Sequence, residues 1–125
     1  MLDDREISND AYQKLNDLFD NKKYEDVIEK IKGLEEDTFE NPFLMNLLGA
    51  SYMRIEDYVN AKIYFNYALD INPNYNDSII NLADLEYKNK SYQKSFDYYA
   101  KLVKEEKIDP KYLGNMGMCL FHQGH

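Results

Sequence analysis

Tyr24, Tyr58 and Tyr92 are evenly spaced along the chain, and each follows a short polar turn. A period of about 34 residues restricts the chain to folds in which one supersecondary unit is stacked upon another. Other columns keep the same spacing. The third residue after each Tyr is Val27, Ala61 or Ser95, small or β-branched, while Leu48, Leu82 and Met116 form a second column and Gly49, Ala83 and Gly117 a third. Within one period the apolar residues follow a helical rhythm: Leu44, Leu47, Leu48, Ser51, Tyr52 and Ile55, then Tyr58, Ala61, Phe65, Ala68 and Leu69. The spacing predicts amphipathic helices over 9–20, 24–36, 42–55, 58–71, 76–88, 92–106 and 110–123, and no strand.

These columns resemble the tetratricopeptide repeat (TPR), a helix-turn-helix unit with this same period. The segment 42–75 is the fullest copy, with Leu48, Gly49 and Tyr52, then Ala61, Phe65, Ala68 and Pro73 at signature positions, and Met45 in place of the first aromatic. Segment 76–109 keeps Leu82, Ala83, Tyr92, Ser95 and Tyr99 but carries Glu86, Leu102 and Lys107 where Tyr, Ala and Pro are usual. Segment 8–41 retains Tyr24, Val27, Ile31 and Leu34, with Leu15 and Phe39 replacing the small residue and the proline. From Pro110, the residues Leu113, Met116, Gly117 and Leu120 open a fourth copy that stops at His125, which reads as truncation. The resemblance implies an all-α fold, a single TPR domain over 1–125 of about three and a half repeats and seven helices, stacked as a right-handed superhelical solenoid.

Charge removes several function classes. The chain of 125 residues has a formal net charge of −8, the wrong sign for a surface that gains affinity by releasing phosphate counterions, so no nucleic-acid partner is expected. The start, Met1-Leu2-Asp3-Asp4-Arg5-Glu6, is acidic where a secretory signal would be basic and then apolar, and no apolar run approaches a membrane span, so a cytoplasmic location is expected. Cys119 is the single cysteine. It excludes an internal disulfide, and its spacing from His122 and His125 is a weak metal pattern because His125 is terminal. Gly114-Asn115-Met116-Gly117 has the outline of a Gly-rich RNA loop, but Gly117 belongs to the small-residue column and is read as a packing position. With no phosphate loop and no nucleophile, base and acid constellation, neither catalysis nor a cofactor or metal is expected.

In the TPR architecture the first helix of each repeat lines a concave groove, which makes the groove columns the candidate site. Phe19, Met53, Tyr87 and Phe121 form one column at unbroken spacing. They read either as a strip for apolar side chains of a guest peptide or as packing against the second helices. Asn81 and Asn115 form another, with Asn46 one residue out of register. A primary amide donates and accepts at once and can pair with an extended peptide backbone, although an asparagine on a helix surface is the competing reading. This short ladder is similar to that of the O-linked N-acetylglucosamine transferases, in the context Ile80-Asn81-Leu82-Ala83. The groove acids Asp20, Asp77 and Asp84 would favour a guest with Lys or Arg. A carboxylate clamp of the kind that captures chaperone tails is incomplete: from repeat two its register gives Asn46, Ala50, Asn81, Lys111 and Asn115, without the first Lys and the last cation.

The resemblance therefore implies a noncatalytic module that binds an extended peptide segment, as an adaptor, scaffold or chaperone-like protein. The expected contacts are Phe19, Asn46, Met53, Asp77, Asn81, Asp84, Tyr87, Lys111, Asn115 and Phe121. Two alternatives stay open: a substrate-recruiting segment at the front of a larger enzyme such as a bacterial glycosyltransferase, and a secretion chaperone or scaffold that self-associates through an open C-terminal helix.

Overall fold

A computed structural model describes residues 9–34, 40–103 and 109–124. They form α1 (Asn9–Asp20), α2 (Tyr24–Lys32), α3 (Pro42–Arg54), α4 (Tyr58–Ile71), α5 (Asn76–Lys88), α6 (Tyr92–Val103) and α7 (Pro110–His122), with no strand among the described residues. The expected helices are all present. Helix α2 stops at Lys32 rather than running on through Gly33 and Leu34, and the expected extensions over 35–36 and 104–106 lie outside the described residues. The chain separates into two compact units, 1–73 and 74–125.

In the first unit, α1–α4, helix starts follow from local chemistry. Asn41 caps α3 by accepting from the Leu44 N–H at 3.2 Å, with Pro42 at the first helical position. The other end of the Asn41 amide donates to the Tyr12 hydroxyl at 2.6 Å, and the Tyr12 ring meets Phe43 edge-on at 5.3 Å, which ties α1 to the start of α3. Asp57 caps α4 by accepting from the Asn60 N–H. The core contains Leu15, Val27, Ile31, Leu44, Met45, Leu48, Ala61, Phe65 and Ala68. Gly49 lies against Phe65: a Cβ there would sit 2.7 Å from two ring carbons and 3.1 Å from the Ala61 carbonyl oxygen. Tyr52 and Tyr64 stack in parallel at 5.6 Å, and the Lys32 ammonium lies 5.3 Å from the Tyr52 ring centre. Hydrogen bonding to Tyr52 outweighs the opposing effect of burial and raises the Lys32 pKa above its ordinary value.

The second unit, α5–α7, repeats the hairpin with altered chemistry. Leu82, Ala83, Leu85, Leu102 and Cys119 are buried with Ser78, Glu86 and Ser95. Ser95, in the register of Ala61, satisfies its hydroxyl by donating to the Ala83 carbonyl at 2.7 Å and accepts from the Cys119 thiol at 3.5 Å. Asp109 caps α7 by accepting from the Lys111 N–H, with Pro110 next. Gly117 shares the register of Gly49, yet a Cβ there would meet nothing within 4 Å. The packing reason that demands a small residue at Gly49 is thus missing at Gly117, since among the described residues no helix stands to α7 as α4 stands to α3.

The hairpin turns are identical in kind. Lys22, Glu56 and Lys90, which keep the repeat spacing, adopt φ of 62°, 66° and 62°. The next N–H in each turn, from Lys23, Asp57 and Ser91, reaches back to the carbonyl of Leu18, Tyr52 and Glu86 at 2.8–2.9 Å. This is the Schellman closure, made here without glycine. Helices α3 and α4 also depart from the expected one-sided pattern. Helix α3 is buried around most of its girth because it packs on both α2 and α4, and α4 carries apolar side chains on its outer face as well.

Candidate functional site

The second unit brings three of the expected groove residues together. Asp84 and Tyr87 from α5 and Asn115 from α7 line one cleft of about 190 Å³ with Tyr99 from α6 and Met118 from α7. Residues 84 and 87 are three apart and so share a helix face, as do 115 and 118. Tyr99 is 2% exposed and donates its hydroxyl to Asp84 Oδ1 at 2.5 Å, and Asn115 lines the cleft beside them. The phenol thereby holds the carboxylate in place at the cleft wall. Burial, then the hydrogen bond and charge of Asp84, push the Tyr99 pKa far above its ordinary value of 10.0.

That shift has a definite sign. Below the ordinary phenol range both folded and unfolded chains keep the proton, and the stabilisation is complete. As pH rises past about 10 the unfolded phenol ionises while Tyr99 resists, so stability falls. Tyr99→Phe should flatten this alkaline decline relative to wild type, measured by urea unfolding between about pH 9 and 11. At neutral pH the same variant should lose about 1–3 kcal/mol, because Asp84 loses a buried donor.

Tyr87 has a second set of contacts. Its ring meets Tyr92 edge-on at 5.3 Å and His122 at 5.5 Å, and His122 stacks on Tyr92 at 4.8 Å. Phe19 in the first unit meets Tyr24 edge-on at 5.2 Å, in the same register as Tyr87 and Tyr92, with the Arg54 guanidinium 5.7 Å from the Phe19 ring centre. Both column members close the turn between the two helices of their repeat, and both remain partly exposed. Asn46 and Met53 are half-buried on α3. Asn81 is half-buried on α5, one turn before Asp84 and Leu85, whereas Asp77 is exposed in the first turn of that helix. Lys111 is exposed and pairs at 3.8 Å with Asp109 on its own helix start, an ion pair open to water. Phe121 is 67% exposed near the end of α7. Tyr99 was legible only as a core aromatic, and nothing in the sequence marked its hydroxyl as the partner of Asp84.

Helical hairpins repeating at this constant spacing, with Gly49 facing Phe65 across the fullest pair, define the tetratricopeptide-repeat fold, and the seven helices fit about three and a half such repeats. The solved structure titled the first TPR of Spaghetti (RPAP3) bound to the HSP90 peptide SRMEEVD matches this chain with a TM-score of 0.81 at 18% sequence identity, over 90% of each chain. The sequence matches no protein-family model and no curated protein. Among the described residues no helix is long and apolar enough to cross a membrane.

Proposed function

We propose that the chain is a noncatalytic peptide-binding module of the adaptor or chaperone-like kind, and that the α5–α7 cleft receives an extended segment of a partner protein. The observation that carries this reading is the Asp84 carboxylate, held by the buried Tyr99 phenol in the wall of an open cleft that the Asn115 amide also lines. Asn115 supplies backbone pairing, with Asn81 one turn before Asp84 on α5, while Tyr87 and Met118 give an apolar wall and Asp84 a seat for Lys or Arg of the guest. The match to a TPR domain solved with a peptide supports the class of ligand. The peptide there carries two Glu and one Asp, whereas this cleft presents Asp84 and the clamp register lacks two of its cations. The guest proposed here is therefore basic and apolar rather than acidic.

The test is affinity capture from source-cell lysate with wild type and with Asp84→Asn plus Asn115→Ala, both checked for equal helicity by circular dichroism. Asparagine at 84 keeps an acceptor for the Tyr99 hydroxyl while removing the charge. A segment of the captured partner should bind the double variant at least about tenfold more weakly, the effect of losing one charge-assisted and one neutral contact. Equal binding would remove the cleft from the proposal.

A further inference from the structure

Helix α4 shows apolar side chains to water along a single line. Val59, Ile63 and Tyr67 are 74%, 54% and 43% exposed, and Ile55, one step earlier in the same four-residue series, is 39% exposed. Residues four apart on an α-helix lie almost above one another, so Val59, Ile63 and Tyr67 make a continuous ridge of a little over two turns. The repeats themselves show that the fold does not require it. The equivalent positions are Asn21, Glu25, Glu29 and Gly33 in the first repeat and Asn89, Gln93, Asp97 and Lys101 in the third. All eight are exposed, as are the four of the α4 series, and none of the eight carries an apolar side chain. An outer face that is polar in two repeats and apolar in one is a surface kept for contact.

We infer that this ridge docks an amphipathic helix of a partner protein, one that carries Lys or Arg beyond both ends of its apolar stripe. A straight ridge at four-residue spacing is what the groove of another helix accepts. Charge selects the occupant. Asp70, exposed, falls within roughly 20° of Val59 around the helix and closes the ridge at one end. Glu56, exposed in the turn before α4, stands at the other. Lys22 and Lys23, which share a cleft with Ile55, are balanced there by Glu25 and Asp26. A second copy crossing symmetrically about Ile63 would set Glu56 of each against Asp70 of the other, on top of the net charge of −8. A basic helix meets the same charges as attractions.

The inference stands apart from the α5–α7 cleft, and its test separates the two. Two synthetic helical peptides share one leucine stripe at four-residue spacing and end in lysines or in glutamates. Titrated into the ¹⁵N-labelled full chain, the lysine peptide should shift amide signals within 55–71 and bind at least about tenfold more tightly than the glutamate peptide. Ile63→Glu, at an exposed position and checked for folding by circular dichroism, should abolish this, and Asp70→Lys should narrow or reverse the preference. Asp84→Asn plus Asn115→Ala should leave it unchanged. Equal binding of the two peptides, shifts centred on α5–α7, or no binding of either up to about 1 mM would overturn the inference. So would a wild-type dimer in sedimentation that Ile63→Glu dissolves, which would give the ridge to a second copy.

Discussion

Phe65→Ala should lower the unfolding free energy by about 3–5 kcal/mol, the range for removing an aromatic from a filled core. Phe65 is wholly buried, its ring lies against the Gly49 backbone, and Ala61 beside it is too small to close the gap. The removed surface loses its burial, and the helix pair α3–α4 would have to draw together to refill the space. Its own backbone resists this, since Gly49 and Ala61 already bring the helices close. Urea unfolding followed by helical circular dichroism gives the answer. A midpoint equal to that of wild type would mean that the ring is not the wedge between these helices.

Gly49→Leu approaches the same contact from the other side, by overfilling it. The first carbon of any side chain at 49 would stand 2.7 Å from the Phe65 ring, and the Ala61 carbonyl at 3.1 Å is backbone that cannot rotate away. The expected loss is about 1–3 kcal/mol. Gly117→Ala is the matched comparison, since it occupies the same register with nothing within 4 Å of the added carbon. There only helix propensity acts, and the substitution should stabilise by about 0.5–1 kcal/mol. Two glycines in one sequence column therefore carry opposite signs. Unfolding midpoints that move in the same direction would contradict this account.

The contrast shows what was legible in the sequence. The evenly spaced columns locate seven helices because burial imposes a repeating need for Leu48, Leu82 and their equivalents, and such needs are local to one helix face. They do not tell whether a column member has a partner in the fold, which separates Gly49 from Gly117. The three hairpin turns carry no mark of their special conformation in the sequence, because Lys22, Glu56 and Lys90 take a positive φ that glycine usually announces. Register alone named Asp84, Tyr87 and Asn115, and the fold gathers them into one cleft. It did not name Tyr99, since a phenol reads as a core ring until its hydroxyl is seen to reach a carboxylate on the preceding helix. The outer ridge of α4 was hidden for a related reason. Val59, Ile63 and Tyr67 interleave with Ala61, Phe65 and Ala68, so two apolar faces blur the one-sided rhythm by which helices are read.

Those three turns also govern how the chain tolerates changes of length. Each reverses the backbone with one left-handed residue and one fixed closure, whatever side chain it bears, and so hands the next helix on at a constant rotational phase. The turn geometry itself fixes no charge at 22, 56 and 90, where Lys, Glu and Lys serve equally. It does fix length. One residue gained or lost after Lys90 would rotate α6 by roughly 100°, swinging Ser95, Tyr99 and Leu102 out of the core together and parting the Tyr99 hydroxyl from Asp84. The hairpin turn, permissive toward substitution and intolerant of insertion, is the phase lock on which both the core and the cleft depend.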